Sequence, residues 1–585
     1  MKRLLPASLA LLAAGCTVPP AEPAAEALPT ELSGAAAEGR VDAAAYQALV
    51  SAAHPLAAAA GEEMLRAGGT AADAALATLV ALTVVEPQSS GIGGGGFLVY
   101  HDAESRRTYA LDGRETAPAA ATPDMFMNDD GTPKPYRASQ LGGMAVGVPG
   151  NIRLMAKAHA RFGRLPWSRL FQPAIRLASE GWEMDERLNS MLASSKDRAG
   201  FTAWARAEYY SASGEPKPVG SRLTNPALAN FLRDVAARGP DLFYEGASAA
   251  RIASTVATSP VQPQAMTPAD IARYQAKWRE PVCGSYRGYK VCGMPPPSSG
   301  GTTVIATLQQ LEPFDLGAMG KDSPQAWYLI GESMRLAFAD REKYLGDGDF
   351  VSVPTAGLVD AVYSATRARL IDPEKAIAKV EAGTPPGATA MATPKAQPEH
   401  GTSHFVAVDS KGDVASLTST IESAFGSGLT VHGFFLNNEM TDFNFRPTID
   451  GRPTANAVAA GKRPRSSMAP TIVYAPSGEV AFAVGAAGGP TIIAQVAKAI
   501  IGVIDWNLTI DDAIALPLLY APGDVYVESD TPLSAMQSEF EAKGQTVRAA
   551  PIGGKGNGLQ RAEGGKWIGG ADRRGAVDGT VTGIR

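Results

Sequence analysis

From Leu56 to Val85, Ala, Leu and Val recur at helical spacing, and the run is broken only at Gly68-Gly69. That pattern predicts two packed helices ending at Glu86-Pro87. Gly91-Ile92-Gly93-Gly94-Gly95-Gly96 then opens into Phe97-Leu98-Val99-Tyr100, an apolar run of strand length. From about Asn151 to Tyr274 the spacing is mostly helical, clearest over Leu154 to Phe162 and Pro226 to Ala237. A further helix is expected over Gln325 to Tyr344, followed by a loop-rich stretch from Gly346 to Val353. Glu381 to Glu399 is Pro, Ala, Gly and Thr without periodicity, which predicts an exposed, mobile segment. Dense β patterning follows at His404 to Val408, Val414 to Thr420 and Val480 to Val484, so the sharpest boundary falls near residue 400. No internal repeat of solenoid length interrupts this order.

Composition narrows the class. At 585 residues the chain has room for roughly four domains of about 150 residues, or for one large composite fold. Hydrophobic residues at 45% and charged residues at 19% describe a folding chain rather than a disordered one. A net charge of −6 without a Lys/Arg block gives no electrostatic reason to bind nucleic acid. Six His and three Cys, with no HExxH or CxxC, predict no metal site, and no cofactor is expected. The glycine run at 91–96 satisfies GxGxxG literally. A dinucleotide cradle, however, needs a strand before it and a helix after it, and here the order is reversed.

Lys2 and Arg3 precede an apolar stretch from Leu4 to Ala14, too short for the roughly 20 residues of a bilayer span but suited to a signal-peptide core. It ends in Leu12-Ala13-Ala14-Gly15-Cys16, which resembles a bacterial lipoprotein cleavage site with Cys16 as the lipid-modified first residue. An ordinary secretory leader is the alternative. Residues 1–16 are thus read as the leader and 17–39 as a flexible tether, with the membrane reached only through the lipid and the body periplasmic. The most apolar later segment, Thr491 to Trp506, contains Lys498.

Outside the cytoplasm the two remaining cysteines can oxidise. A two-residue Arg287-Gly288 turn would pair Tyr286 with Tyr289 and hence Cys283 with Cys292, predicting a cross-strand disulfide. The same reasoning applies after the 400 boundary. Ser410-Lys411-Gly412 reads as a three-residue turn, which sets Asp409 opposite Asp413, Val408 opposite Val414 and Thr402 opposite Thr420. Two facing hydroxyls alone are common in sheets.

Glu399-His400-Gly401-Thr402-Ser403-His404-Phe405 resembles the processing site of the gamma-glutamyltransferases, which are N-terminal nucleophile hydrolases. The likeness continues in Leu436 to Phe443, in Lys462-Arg463-Pro464-Arg465-Ser466-Ser467-Met468-Ala469-Pro470-Thr471 and in Gly485-Ala486-Ala487-Gly488-Gly489. Upstream it includes Ser90 to Phe97, Asp112-Gly113-Arg114-Glu115, Val148-Pro149-Gly150 and Pro297-Ser298-Ser299-Gly300-Gly301. An ordered set of this kind is far more specific than any one member. It implies an α+β fold, the four-layer αββα sandwich, built from a large subunit, 40–401, and a small subunit, 402–585, held as a heterodimer. Periodicity alone gives only mixed α and β.

The chemistry implied is coherent. The Thr402 hydroxyl attacks the Gly401 carbonyl, the acyl group shifts from N to O, and water cleaves the ester between 401 and 402. The freed α-amine of Thr402 then serves as base for its own hydroxyl, with Thr420 orienting both. Gly488 and Gly489 supply backbone N–H groups for the oxyanion at a strand-to-helix turn. A small-molecule gamma-glutamyl substrate is a zwitterion. By the resemblance Arg114, Ser466 and Ser467 match the residues that bind its carboxylate, while Glu422, Glu439 and Asp442 match those that bind its ammonium. Three departures stand out: Glu422 where relatives more often carry Asn, Ala487 with Pro490-Thr491 around the glycine pair, and no Tyr or Trp gate between Phe443 and Gly461. The expected reaction is hydrolysis or transfer of gamma-glutamyl groups, as from glutathione. A glutaryl-cephalosporin-type acylase and a non-catalytic solute-binding lipoprotein are the competing readings.

Overall fold

Alternation along two consecutive strands sets the layering. In β7 (Ser403–Val408) and β8 (Val414–Thr420), Phe405, Ala407, Ala415 and Leu417 point into one hydrophobic core and Val406, Val408 and Val414 into another. The computed structural model describes residues 45–394, 401–574 and 579–585. Cys16, its leader and the tether lie outside the described residues, as does the end of the segment that leads to Glu399.

With β1 (Ala48–Ala52), β2 (Gly95–Asp102), β3 (Arg107–Gly113), β4 (Lys277–Arg279) and β13 (Thr580–Ile584), these strands form a seven-stranded antiparallel sheet in the order β13-β1-β7-β8-β2-β3-β4. A second antiparallel sheet comprises β5 (Val282–Tyr286), β6 (Tyr289–Gly293), β9 (Thr471–Tyr474), β10 (Val480–Ala486), β11 (Gly556–Arg561) and β12 (Trp567–Ala571), in the order β12-β11-β10-β9-β6-β5. The sheets face each other through β7, β8, β10 and β11. Helices α1 (Pro55–Arg66) and α2 (Ala71–Val85) cover the first sheet, while α3 (Gly300–Gln310), α5 (Thr491–Ile504) and α6 (Ile510–Ala515) cover the second, with α4 (Pro324–Tyr344) packed on α3. This is the four-layer αββα sandwich. Both sheets combine strands from before and after residue 401, interleaved in the first and side by side in the second.

Helix α2 is apolar on every side and is buried throughout, as that pattern requires. Thr70 and Asp73 cap its start reciprocally. The hairpins keep their expected registers: Val408 lies opposite Val414, and Cys283 opposite Cys292, which are disulfide-bonded. Arg287 and Gly288 both take positive φ in that turn, at 50° and 79°. Helix ends shift more. The helix expected from Leu154 begins at Asn151, and the strand expected to stop at Val484 runs to Ala486. The segment expected to be mobile is irregular over 381–394 but tied down, with Gly383 held between Tyr344 and Asp340 and Ala392 bridged to Thr454. Lys498, the charge inside the apolar α5, is buried and donates to the carbonyls of Ile514 and Leu516.

Candidate active site

The glycine run at 91–96 is a backbone mould. A Cβ on Gly94 would overlap the Thr420 carbonyl, and one on Gly93 the Phe435 carbonyl, so only glycine lets these chains touch. Asn151 ties the run down, donating to Gly91 O at 2.6 Å and to Ser419 Oγ at 3.0 Å. Thr420 is thereby fixed at the end of β8. Its hydroxyl accepts from Glu422 N–H at 2.8 Å and donates to the Gly401 carbonyl at 2.7 Å. Since a hydroxyl carries one proton, that contact defines where it goes. Thr402 Oγ1 also contacts the Gly401 carbonyl and lies 3.4 Å from Thr420 Oγ1. Gly401 has φ of 75°, and a Cβ there would collide with the Glu422 carbonyl. The bond expected to break is thus flanked by a hydroxyl against its carbonyl and a second hydroxyl polarising it.

The charged half of the site gathers residues hundreds of positions apart. Arg114, at 1% exposure, pairs with Glu439 and Asp442 and donates to the carbonyls of Pro464 and Arg465 at 3.1 and 3.0 Å. The resemblance implies a carboxylate fork separate from the ammonium acceptors; in the structure they are partners, because a buried guanidinium needs carboxylates to offset its desolvation. Arg463 braces the loop from behind, donating to Asp112 and to the Arg114 carbonyl at 2.8 Å each. Ser466 and Ser467 are buried nearby. The Ser466 hydroxyl accepts from Met468 N–H at 3.1 Å and the Ser467 hydroxyl from Arg341 of α4 at 2.6 Å. Ser298 and Ser299 staple this loop by donating to Met468 O and Ser466 O. Glu422, with φ of 72°, takes a hydrogen bond from Asn438 and has Tyr136 Oη 3.5 Å away.

Electrostatics favours a cation here. Burial pushes Glu115 up to about 7 despite the adjacent Arg114, and burial raises Glu439 well above the carboxylate range, with Glu115 and Glu422 adding to the rise. Several carboxyl groups therefore crowd one guanidinium.

At the end of β10, Gly488 and Gly489 have φ of 125° and 61° and lead through Pro490 into α5. Gln495 of α5 holds the turn, donating to Ala487 O at 2.7 Å. Two residues that spacing did not reveal lie behind Thr402. Lys555 Nζ donates to Thr402 O at 3.1 Å and to Glu86 at 2.9 Å. Glu86 had registered only as a helix end, and Lys555 belongs to no motif. Asn438, Tyr136 and Arg341 were likewise missed as neighbours of the expected pocket residues.

The family model for gamma-glutamyltranspeptidase matches residues 57–582. The chain belongs to the gamma-glutamyltranspeptidase family. A glutathione hydrolase proenzyme of Bacillus subtilis is 37% identical over 81% of this chain and 80% of its own length. The Acylase ACY 1 proenzyme of Pseudomonas sp. is 36% identical over 85% of this chain and 87% of its own. Among solved structures, a cephalosporin acylase from Bacillus halodurans superposes with a TM-score of 0.81 at 25% identity, covering 95% of this chain and all of its own. The family assignment agrees with the resemblance carried by the motifs around Thr402, and the sandwich agrees with the fold that it implied. The proteins to which the chain is similar thus carry both hydrolase and acylase names.

Proposed function

We propose that the chain is an autoprocessing gamma-glutamyl hydrolase/transferase working through a gamma-glutamyl ester on Thr402. The observation that carries this reading is the pair of hydroxyls, Thr402 and Thr420, on the Gly401 carbonyl. Attack by Thr402 Oγ on that carbonyl carbon shifts the acyl group to oxygen, and hydrolysis leaves a carboxylate on Gly401 and an α-amine on Thr402. Residues 40–401 and 402–585 then persist as large and small subunits of a heterodimer. In turnover the amine takes the Thr402 hydroxyl proton, Oγ attacks the gamma-glutamyl carbonyl, and the leaving amine departs protonated. Water or an amino acid then accepts the acyl group. The N–H groups of Gly488 and Gly489 are assigned to the oxyanion.

Substrate recognition follows from an exchange of ion pairs. The substrate carboxylate takes over Arg114, with Ser466 and Ser467 beside it, while its ammonium takes the released Glu439 and Asp442, with Glu422 as a third acceptor. Charge is conserved in that exchange for a gamma-glutamyl zwitterion. It is not conserved for a glutaryl group, which lacks the ammonium and would leave buried carboxylates unpaired. The acylase reading, favoured by the names of two relatives, is therefore placed second. A purely solute-binding role has no use for the Gly401-Thr402-Thr420 arrangement.

Lys2, Arg3, the apolar stretch and Cys16 support a periplasmic lipoprotein. Among the described residues no helix is long and apolar enough to cross a membrane. The decisive test is a denaturing gel with amino-terminal sequencing. Purified chain should give two bands, the smaller beginning Thr-Ser-His, and Thr402→Ala should give one. A single band from the unaltered chain would overturn the proposal.

A further inference from the structure

Thr402 has a cation at its back. The chain that precedes β11 brings Lys555 between the nucleophile strand and the glycine-pair turn, where its backbone accepts from Ala487 N–H at 3.0 Å and donates to Gln495 at 2.9 Å. Its side chain, 13% exposed, runs inward to Thr402 O at 3.1 Å, Ser403 Oγ at 3.4 Å and Glu86 at 2.9 Å. Glu86 in turn accepts from Ser403 Oγ at 2.5 Å and lies 3.9 Å from Arg187, in the helix Glu186–Ser194. A cation–anion–cation row thus ends against the main chain of the nucleophile.

Three covalent bonds separate the carbonyl oxygen of Thr402 from its nitrogen, so that nitrogen lies within about 7 Å of the Lys555 ammonium. We infer that Lys555 is a positioning residue that holds the new α-amine of Thr402 in its unprotonated, proton-accepting form by placing a positive charge beside it. The inference rests on Thr402 being the nucleophile. Two like charges at that separation in a partly buried site disfavour each other by about 1–2 pH units. Lys555 itself is lowered, chiefly by burial and also by Arg187, to about 8. It is therefore still charged at neutral pH. Glu86 is opposed by burial but drawn down by Lys555 and Arg187 to about 2, so it stays ionised and keeps the ammonium in place.

The other groups around the amine act as follows. Thr420, across the hairpin, is neutral. Glu86, Glu422 and the Gly401 carboxylate formed by scission oppose the effect of Lys555, and Asp185, before Arg187, favours the Lys555 cation. His404, two residues along, is buried and held neutral by burial down to about 3.

The test is the pH dependence of kcat/KM between pH 5 and 9 with a gamma-glutamyl anilide, on processed enzyme. Lys555→Met keeps most of the length of the side chain and removes the charge. Its acid limb should move up by about 1–2 pH units with little change in KM, since Lys555 lies away from the charged pocket. Lys555→Arg should leave the limb where it is in the unaltered enzyme. Thermal melting and the two-band pattern establish that each variant is folded and cleaved, and Lys555→Gln replaces Lys555→Met if the latter does not fold. A processed Lys555→Met or Lys555→Gln enzyme whose acid limb coincides with that of the unaltered enzyme overturns the inference and leaves Thr402 untouched. A chain that never exposes Thr402 as an amino terminus removes both readings.

Discussion

The two halves of the site are built on opposite principles. At the hairpin end, Thr402, Thr420 and Gly401 interact through neutral hydroxyls and a carbonyl, and the geometry is enforced by backbone that glycine alone permits. At the pocket end, Arg114, Glu115, Glu439 and Asp442 are buried ionisable groups whose positions are enforced by one another. Sterics make the first half intolerant of any change in shape, whereas the second depends on the Arg114 fork and on the carboxyl groups gathered around it.

The hairpin end should break hardest. Gly401→Ala puts a Cβ into the Glu422 carbonyl at a left-handed backbone position, turning the scissile carbonyl away from Thr420. Losing one such donor costs about 10²–10³-fold, so the time course of band splitting on a gel should lengthen at least about 100-fold. A rate within about threefold of the unaltered chain would contradict the role given to that hydrogen bond. Arg114→Lys tests the pocket end. Cleavage of the chain should proceed normally while KM for a gamma-glutamyl anilide rises about 10–100-fold, because an ammonium cannot reproduce the fork. Failure of that variant to process would mean that the halves are not separable. Glu422→Asn should have the smallest effect. Asn is at ease at φ of 72°, so the loop should keep its shape while one negative charge leaves the pocket. The ratio of glutaryl to gamma-glutamyl anilide turnover should rise about 3–10-fold. An unchanged ratio would remove Glu422 from substrate discrimination.

What was legible in the sequence follows the same division. Period-two alternation and the Ser410-Lys411-Gly412 turn gave the register of β7 with β8, and with it the Thr402–Thr420 approach, because both strands are contiguous and the turn fixes the offset. The Cys283–Cys292 pair was readable for the same reason. The pairing of Arg114 with Glu439 was not, since 325 residues separate them and no local spacing encodes which sheet edge brings them together. The resemblance identified both as pocket residues but not as each other's counterions. Lys555 and Glu86 carry no sequence signal of a place beside Thr402: Glu86 reads only as a helix end, and a lysine in Gly553-Gly554-Lys555-Gly556 reads as a solvated loop until β11 and α2 are in place. Sequence alone also fixed helix ends poorly, as at Asn151, whose side chain serves the glycine run rather than the apolar stripe.

The interleaving of strands has a thermodynamic consequence for the cut molecule. β7, β8 and β13 lie among β1 to β4 in one sheet, and β9 to β12 continue from β5 and β6 in the other. After the proposed cut at 401–402, each fragment lacks the strand neighbours that complete its sheets, so parting the fragments costs the folding of both. Full denaturation does part them, and the return journey then needs two chains to meet. Renaturation of cleaved material should therefore slow on dilution, whereas the uncut Thr402→Ala chain should refold at a rate independent of its concentration.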